Sequence, residues 1–208
     1  MLSGRIVEED IGGVEIFSDV ELKLKKKNKL LFSRDSHCLQ DLIKLIQLQS
    51  HRTLVMWPLD CAKLPLTQFE TKYPSEQRPR TCLELCEAWA RGKIKMPMAK
   101  QAILGSHAVA KEINDNEYGA LCQAIGHAGA TVHVETHALG LPIYELTAIV
   151  RKADDFKEPV SKKIDYYYKQ LQYWQENTDK LELEWANFLL DDTKPNKEYL
   201  LSKKSKSK

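Results

Sequence analysis

From Leu39 to Leu189 the apolar residues recur at steps of three and four, and prolines and glycines interrupt the rhythm. That period belongs to helices with one face turned to a core. Leu39, Leu42, Ile43 and Ile46 form the first stripe, with Asp35 or Ser36 as its cap. Val55, Leu59, Ala62, Leu66, Phe69 and Tyr73 form the second. Pro58 and Pro65 lie within it, which predicts a kink or two short helices, closed by Tyr73-Pro74. A helix opening at Pro79 turns Cys82, Leu85, Cys86 and Trp89 inward and stops at Gly92. Pro97 opens the next, to near Lys111, and Asn114 or Asp115 caps another that reads through Ala138. Gly140 and Pro142 mark a stop and a restart. After Pro159, Val160, Ile164, Tyr167, Leu171 and Trp174 keep the spacing, and Leu181, Trp185, Phe188 and Leu189 extend it. The expectation is all-α: a multi-helix bundle or stack of seven or eight helices with short connections and no solenoid repeat.

Both ends read differently. Val20, Leu22 and Leu24 alternate with Glu21, Lys23 and Lys25, the period of a half-buried strand. Gly12-Gly13 separates Ile6-Val7 from Val14 and Ile16, as a hairpin turn does. Residues 1–34 are therefore read as a small N-terminal β arm. Such a ribbon needs a packing partner, either the helical domain of residues 35–191 or a second copy, which makes a homodimer through the arm an expectation. The chain carries a net charge of +2 over 208 residues. Six lysines against Asp192 and Glu198 give residues 192–208 a net +4, which leaves the rest slightly acidic. This Ser/Lys segment reads as a disordered, solvated basic tail. A solubilising role is expected of it in preference to a nucleic-acid arm, and the Lys23–Lys29 run lacks interleaved aromatics, so nucleic acid is not the expected partner.

No apolar run approaches the roughly 20 residues of a membrane span. The start of the chain has no basic, then apolar, signal pattern. The five cysteines (Cys38, Cys61, Cys82, Cys86 and Cys122) are odd in number, contain no Cys-x-x-Cys and mostly fall at apolar helical positions. They read as buried, reduced thiols of a cytoplasmic protein.

Residues 98–141 contain no proline but hold His107, His127, His133 and His137 among Gly105, Gly119, Gly126, Gly129 and many alanines. A glycine inside a helix costs about 1 kcal/mol against alanine. Several together imply close backbone approach, so the helix of His127 to His137 is expected at the bundle centre. Read as one helix, His133 and His137 lie about 40° apart and Glu135 about 160–200° away from the imidazoles. The stretch His133-Val134-Glu135-Thr136-His137 therefore does not match zinc proteases, whose glutamate flanks a histidine. The histidines are expected in the core, each donating a ring proton to a carboxylate or a backbone carbonyl, with no cofactor. A metal held by His107, His133 and His137 with Asp60 is the alternative. In Arg78-Pro79-Arg80 two cations oppose a helix dipole, so Asp60, Glu70 or Glu84, or a bound anion, should offset them, and an internal Asp60–arginine pair is expected in preference to an anion site. No Gly-rich phosphate loop and no Gly-x-Ser-x-Gly occurs.

The blocks Leu54 to Cys61, Phe69-Glu70, Tyr73-Pro74, Arg78-Pro79-Arg80, Ala88-Trp89 and Arg91-Gly92 continue into Ser106-His107-Ala108 and Gly126-His127-Ala128. Thr131 to Val134 and His137-Ala138 complete the series. Over residues 35–150 the chain resembles a family of immunity proteins from bacterial polymorphic-toxin systems. The residues that fit the motif are Asp60, Arg78, Arg80, Trp89, His107, His127, His133 and His137; Pro58 departs from it, standing where alanine is expected. The resemblance implies an all-helical, cytoplasmic, non-catalytic protein that binds a cognate toxin domain and blocks it. Tyr166, Tyr167 and Tyr168 are candidate partner contacts, because three adjacent rings cannot all face one core. The second reading is a metal- or anion-dependent enzyme using Asp60, Arg78, Arg80 and the histidines.

Overall fold

The computed structural model describes residues 15–191 and 193–205. These contain ten α-helices and four short 3-10 turns. The helices are α1 (Ser18–Lys25), α2 (Gln40–Gln47), α3 (His51–Cys61), α4 (Lys63–Lys72), α5 (Arg78–Ala90), α6 (Met96–Glu112), α7 (Asn116–Ala130), α8 (Gly140–Lys152), α9 (Lys157–Asn177) and α10 (Lys197–Ser205).

Helix α7 is the axis of the molecule. It touches α3, α4, α5, α6 and α8 and the 3-10 turn Glu135–His137. Gly119, Ala120, Ala124, Gly126, Ala128, Gly129 and Ala130 are all buried on it. Asp115 caps its start, accepting from the N–H groups of Glu117 and Tyr118 at 3.1 Å. The small side chains let the neighbouring helices approach. A Cβ on Gly119 would lie 3.2 Å from the Ala110 carbonyl oxygen of α6, and one on Gly129 only 2.7 Å from the Cys86 sulfur of α5. The buried Ser106 hydroxyl adds a bond across this seam, donating to the Cys122 carbonyl at 2.9 Å. Five free thiols accompany this packing, all buried except the half-buried Cys38.

The second seam joins α3 to α9. Trp57 is fully buried, and its indole N–H donates to the Tyr167 carbonyl at 3.0 Å. Pro58 sits inside α3, and the helix ends three residues later. The chain re-enters α4 after the single residue Ala62, so the long apolar stripe is carried by two short helices as the prolines imply. Gly92 closes α5 with φ at +72°, a left-handed conformation that a side chain would strain.

Several expectations are corrected, beginning with the number of helices, which is ten among the described residues instead of seven or eight because α1 and α10 lie in segments read as a β arm and a tail. The strand read at Val20, Leu22 and Leu24 is helix α1, with Val20 buried and Leu22 and Leu24 exposed. A segment this short satisfies either period, and only Val20 reaches the core. The proposed hairpin at Ile6 to Val14 lies outside the described residues, and no strand occurs within them. The helix read through Ala138 ends at Ala130, and Glu135–His137 is a separate 3-10 turn. The helical spacing at Leu181 to Leu189 belongs to an irregular segment, helical only in the 3-10 turn Asn187–Leu189. Its backbone bonds the end of α5 instead, Ala186 N–H donating to the Ala90 carbonyl at 2.8 Å.

The segment read as a solvated tail contains α10, which packs on α2 and on the Glu135–His137 turn. Its Glu198 is 2 % exposed and accepts from the Arg34 guanidinium through Nε at 3.2 Å and through Nη2.

Candidate functional site

The seven polar residues singled out in the sequence do not form one group. Asp60, at the end of α3, accepts from Lys63 Nζ at 2.9 Å and from the Trp174 indole at 3.2 Å. The expected Asp60–arginine pair is absent among the described contacts. Arg78 is clamped by Glu76 and Glu112, with bonds of 2.6 Å to each. Arg80 makes a two-pronged bond to Glu70 at 2.6 and 2.5 Å, and its Nη1 lies 3.8 Å from Glu84. These carboxylates offset the two cations at the start of α5. They also hold Arg78 above, and Glu76 and Glu112 below, their ordinary pKa ranges through the shared hydrogen bonds. His133 stands apart from the other histidines of this stretch. It is exposed and stacks on Trp89 at 6.1 Å, and Trp89 in turn meets Phe188 at 5.4 Å.

His107, His127 and His137 do converge. His127 comes from the last turn of α7, His107 from α6 and His137 from the 3-10 turn after α7. The His127 ring stacks on Tyr144 of α8 at 5.0 Å and 21°. It meets His107 edge-on at 5.3 Å and His137 at 5.4 Å. The Nδ1 atoms of His127 and His137 are 3.3 Å apart. At that distance one ring must carry the proton on Nδ1 and donate while the other accepts. Two glycines make room for the rings. A Cβ on Gly126 would sit 2.5 Å from His107 Cε1, and one on Gly140 would run into the His127 ring.

Burial dominates the electrostatics here. It lowers all three imidazole pKa values, His127 to about 4, and the neighbouring imidazoles and Arg34 push in the same direction. A hydrogen bond donated by the His107 ring to the Gln123 side chain partly offsets this. The three rings are therefore neutral at pH 7. The expectation that each donates to a carboxylate or a backbone carbonyl is corrected: His127 and His137 bond each other, and His107 Nδ1 is buried without a hydrogen-bond partner. Among the described residues, no group of three or more His, Cys, Asp or Glu side chains is arranged to hold a metal ion.

Several polar contacts escaped the sequence reading. Glu145, 5 % exposed on α8, accepts from the Tyr167 hydroxyl and pairs with Lys163 Nζ at 2.6 Å. Burial raises the Glu145 carboxyl above its usual range despite the lysine. The Lys163 ammonium also lies over the rings of Tyr166 and Tyr167, at 4.7 and 5.1 Å. Tyr167 is fully buried and not available to a partner, whereas Tyr166 and Tyr168 are half-buried. A lone carboxylate among Leu141, Ile143, Leu146 and Ile149 was the available signal, since a buried charge must have a partner. His51 was missed too. Its Nε2 lies 2.8 Å from the Thr131 carbonyl oxygen, tying α3 to the end of α7.

Fold and contacts together define an all-helical protein whose polar motifs join helix to helix. The chain belongs to the Imm-5 like putative immunity protein family, whose family model matches residues 44–173. The match runs from the second half of α2 through most of α9 and includes every residue of α3 to α8. No curated protein and no solved structure matches the chain.

Proposed function

We propose that this chain is an immunity protein that neutralises a cognate bacterial toxin by direct binding, with no catalysis of its own. Family membership over residues 44–173 carries this reading. The geometry is consistent with it. An enzyme using the polar cluster calls for Asp60, the arginines and the histidines around one point, and each arginine is instead neutralised by carboxylates of its own. Asp60 is engaged by Lys63 and Trp174, away from the imidazoles. No helix among the described residues is long and apolar enough to cross a membrane. We place the protein in the cytoplasm with its toxin, and Tyr166 and Tyr168 of α9 are the aromatic contacts we assign to the partner.

The test is co-expression with each toxin-domain gene found beside this one. The expected outcome is restored growth and a stable complex on size exclusion. A toxin that kills equally with and without this chain, and that elutes apart from it, overturns the reading.

A further inference from the structure

The imidazole cluster is the most unusual polar grouping in the fold, because three rings from three elements meet without a counter-ion. We propose that His107, His127 and His137 form an acid-sensitive latch that holds the Glu135–His137 turn, and through it α10, against α7. This inference is independent of toxin binding.

The geometry requires at least one of the two facing nitrogens to stay unprotonated. A hydrogen bond across the 3.3 Å between His127 Nδ1 and His137 Nδ1 exists only while one of the two nitrogens lacks its proton. When both are protonated, two N–H groups and two positive charges face each other. Among the described residues, the charged and titratable groups acting on these rings are cations and other imidazoles. Lys111 on α6, Arg34 in the segment before α2 and His133 just before the turn all act electrostatically on the rings. Helix α8 contributes the Tyr144 ring. Helix α5 contributes the Cys82 and Cys86 thiols, which face α7 at Gly129, and α3 contributes His51 at the Thr131 carbonyl. The two carboxylates in this region, Glu198 and Glu135, face cations and His51 rather than the three clustered rings, although the buried Glu135 Oε2 makes no hydrogen bond. Glu198 holds Arg34, and Glu135 lies near His51 and Lys197, at 3.7 and 3.6 Å. The same cationic setting disfavours a divalent metal at this bite.

The turn is the part that can yield. It is a single 3-10 turn with neighbours on α3, α7, α8 and α10. Arg34 spans it to α10, donating to the Thr136 carbonyl at 3.2 Å while pairing with buried Glu198. A charge on His137 therefore pushes directly on the cation that anchors α10. Release leaves Glu198 without its partner in a buried position, so turn and helix open together. Helices α7 and α8 are held by the glycine and alanine seam and stay packed.

Amide hydrogen exchange on the full chain tests this, with rates corrected for intrinsic exchange. Between about pH 7.5 and about pH 5, protection is expected to drop about tenfold or more at residues 131–139 and 197–205 and to hold in α8 and α9. The double variant His127→Asn with His137→Asn is expected to lose that pH dependence. Imidazole NMR titration of the wild-type chain follows the same event without any substitution, and opening should track the His127 or His137 curve. Flat protection through imidazole titration, or an unchanged pH response in the double variant, overturns the latch.

Discussion

Two buried polar groupings in this bundle solve the same problem in opposite ways. On α8 and α9, Glu145 meets a cation and a hydroxyl, so the charge is balanced by Lys163 and Tyr167. Around the end of α7, three imidazoles meet one another and nearby cations, so the group survives only uncharged. The two respond to pH with opposite sign. Burial raises the Glu145 pKa, so its contribution is most favourable below the unfolded value near 4.5 and declines as pH rises through the folded one. The imidazole pKa values are depressed, so their contribution is complete above the unfolded value of 6.5 and is lost as pH falls toward the folded value, about 4 for His127.

Breaking the charged pair has the largest expected effect. Lys163→Met leaves the Glu145 carboxylate buried without its cation and should cost about 3–5 kcal/mol at neutral pH. Urea unfolding of this variant at about pH 7.5 and about pH 5 checks the sign, because the loss should shrink in acid as the carboxyl takes up a proton. Equal losses at both values would assign the damage to packing alone.

The imidazole side predicts the reverse slope. For His127 the fall from 6.5 to about 4 corresponds to at most about 3 kcal/mol, lost between pH 6.5 and pH 4. Comparing wild type with His127→Phe across that range isolates the contribution from the carboxylates that also titrate there, and the variant should show the shallower acid dependence. Gly126→Ala is smaller. Its Cβ lands 2.5 Å from His107 Cε1, so the ring must move, at a cost of about 1–3 kcal/mol measurable by thermal unfolding. Arg80→Ala is the smallest. Its pairs with Glu70 and Glu84 are at the surface, so the expected fall in the thermal midpoint is the smallest of the set and shrinks further with added salt.

Much of the α3 to α8 region was legible before any coordinates. Stripes at steps of three and four, prolines at starts and glycines at stops depend on local geometry, and local geometry is written in the order of residues. The burial of α7 followed from its glycines, since their helix penalty needs a compensating close contact. Reading past Ala130 was the error that hid the site. As a continuous helix, the stretch put His133 with His137. With the helix ended at Ala130, His133 faces solvent on Trp89 while His137 folds back to His127. No capping glycine marks that end: the next residues are Thr131-Val132-His133. The termini misled for a related reason. An eight-residue amphipathic segment fits either period, and α10 hides its one buried acid, Glu198, among lysines.

Sequence alone determined that the chain is helical, where most helices start and stop, which helix is central, and the family it joins, because each of these rests on the order of residue types along the chain. Tertiary structure decided who meets whom. Asp60 could have met either arginine, and the four histidines could have met in several ways, because ion pairs and ring contacts depend on distances between elements far apart in the chain. Packing placed Glu70 beside Arg80 and Glu112 beside Arg78, and it seated three imidazoles against two glycines where no counter-ion follows them.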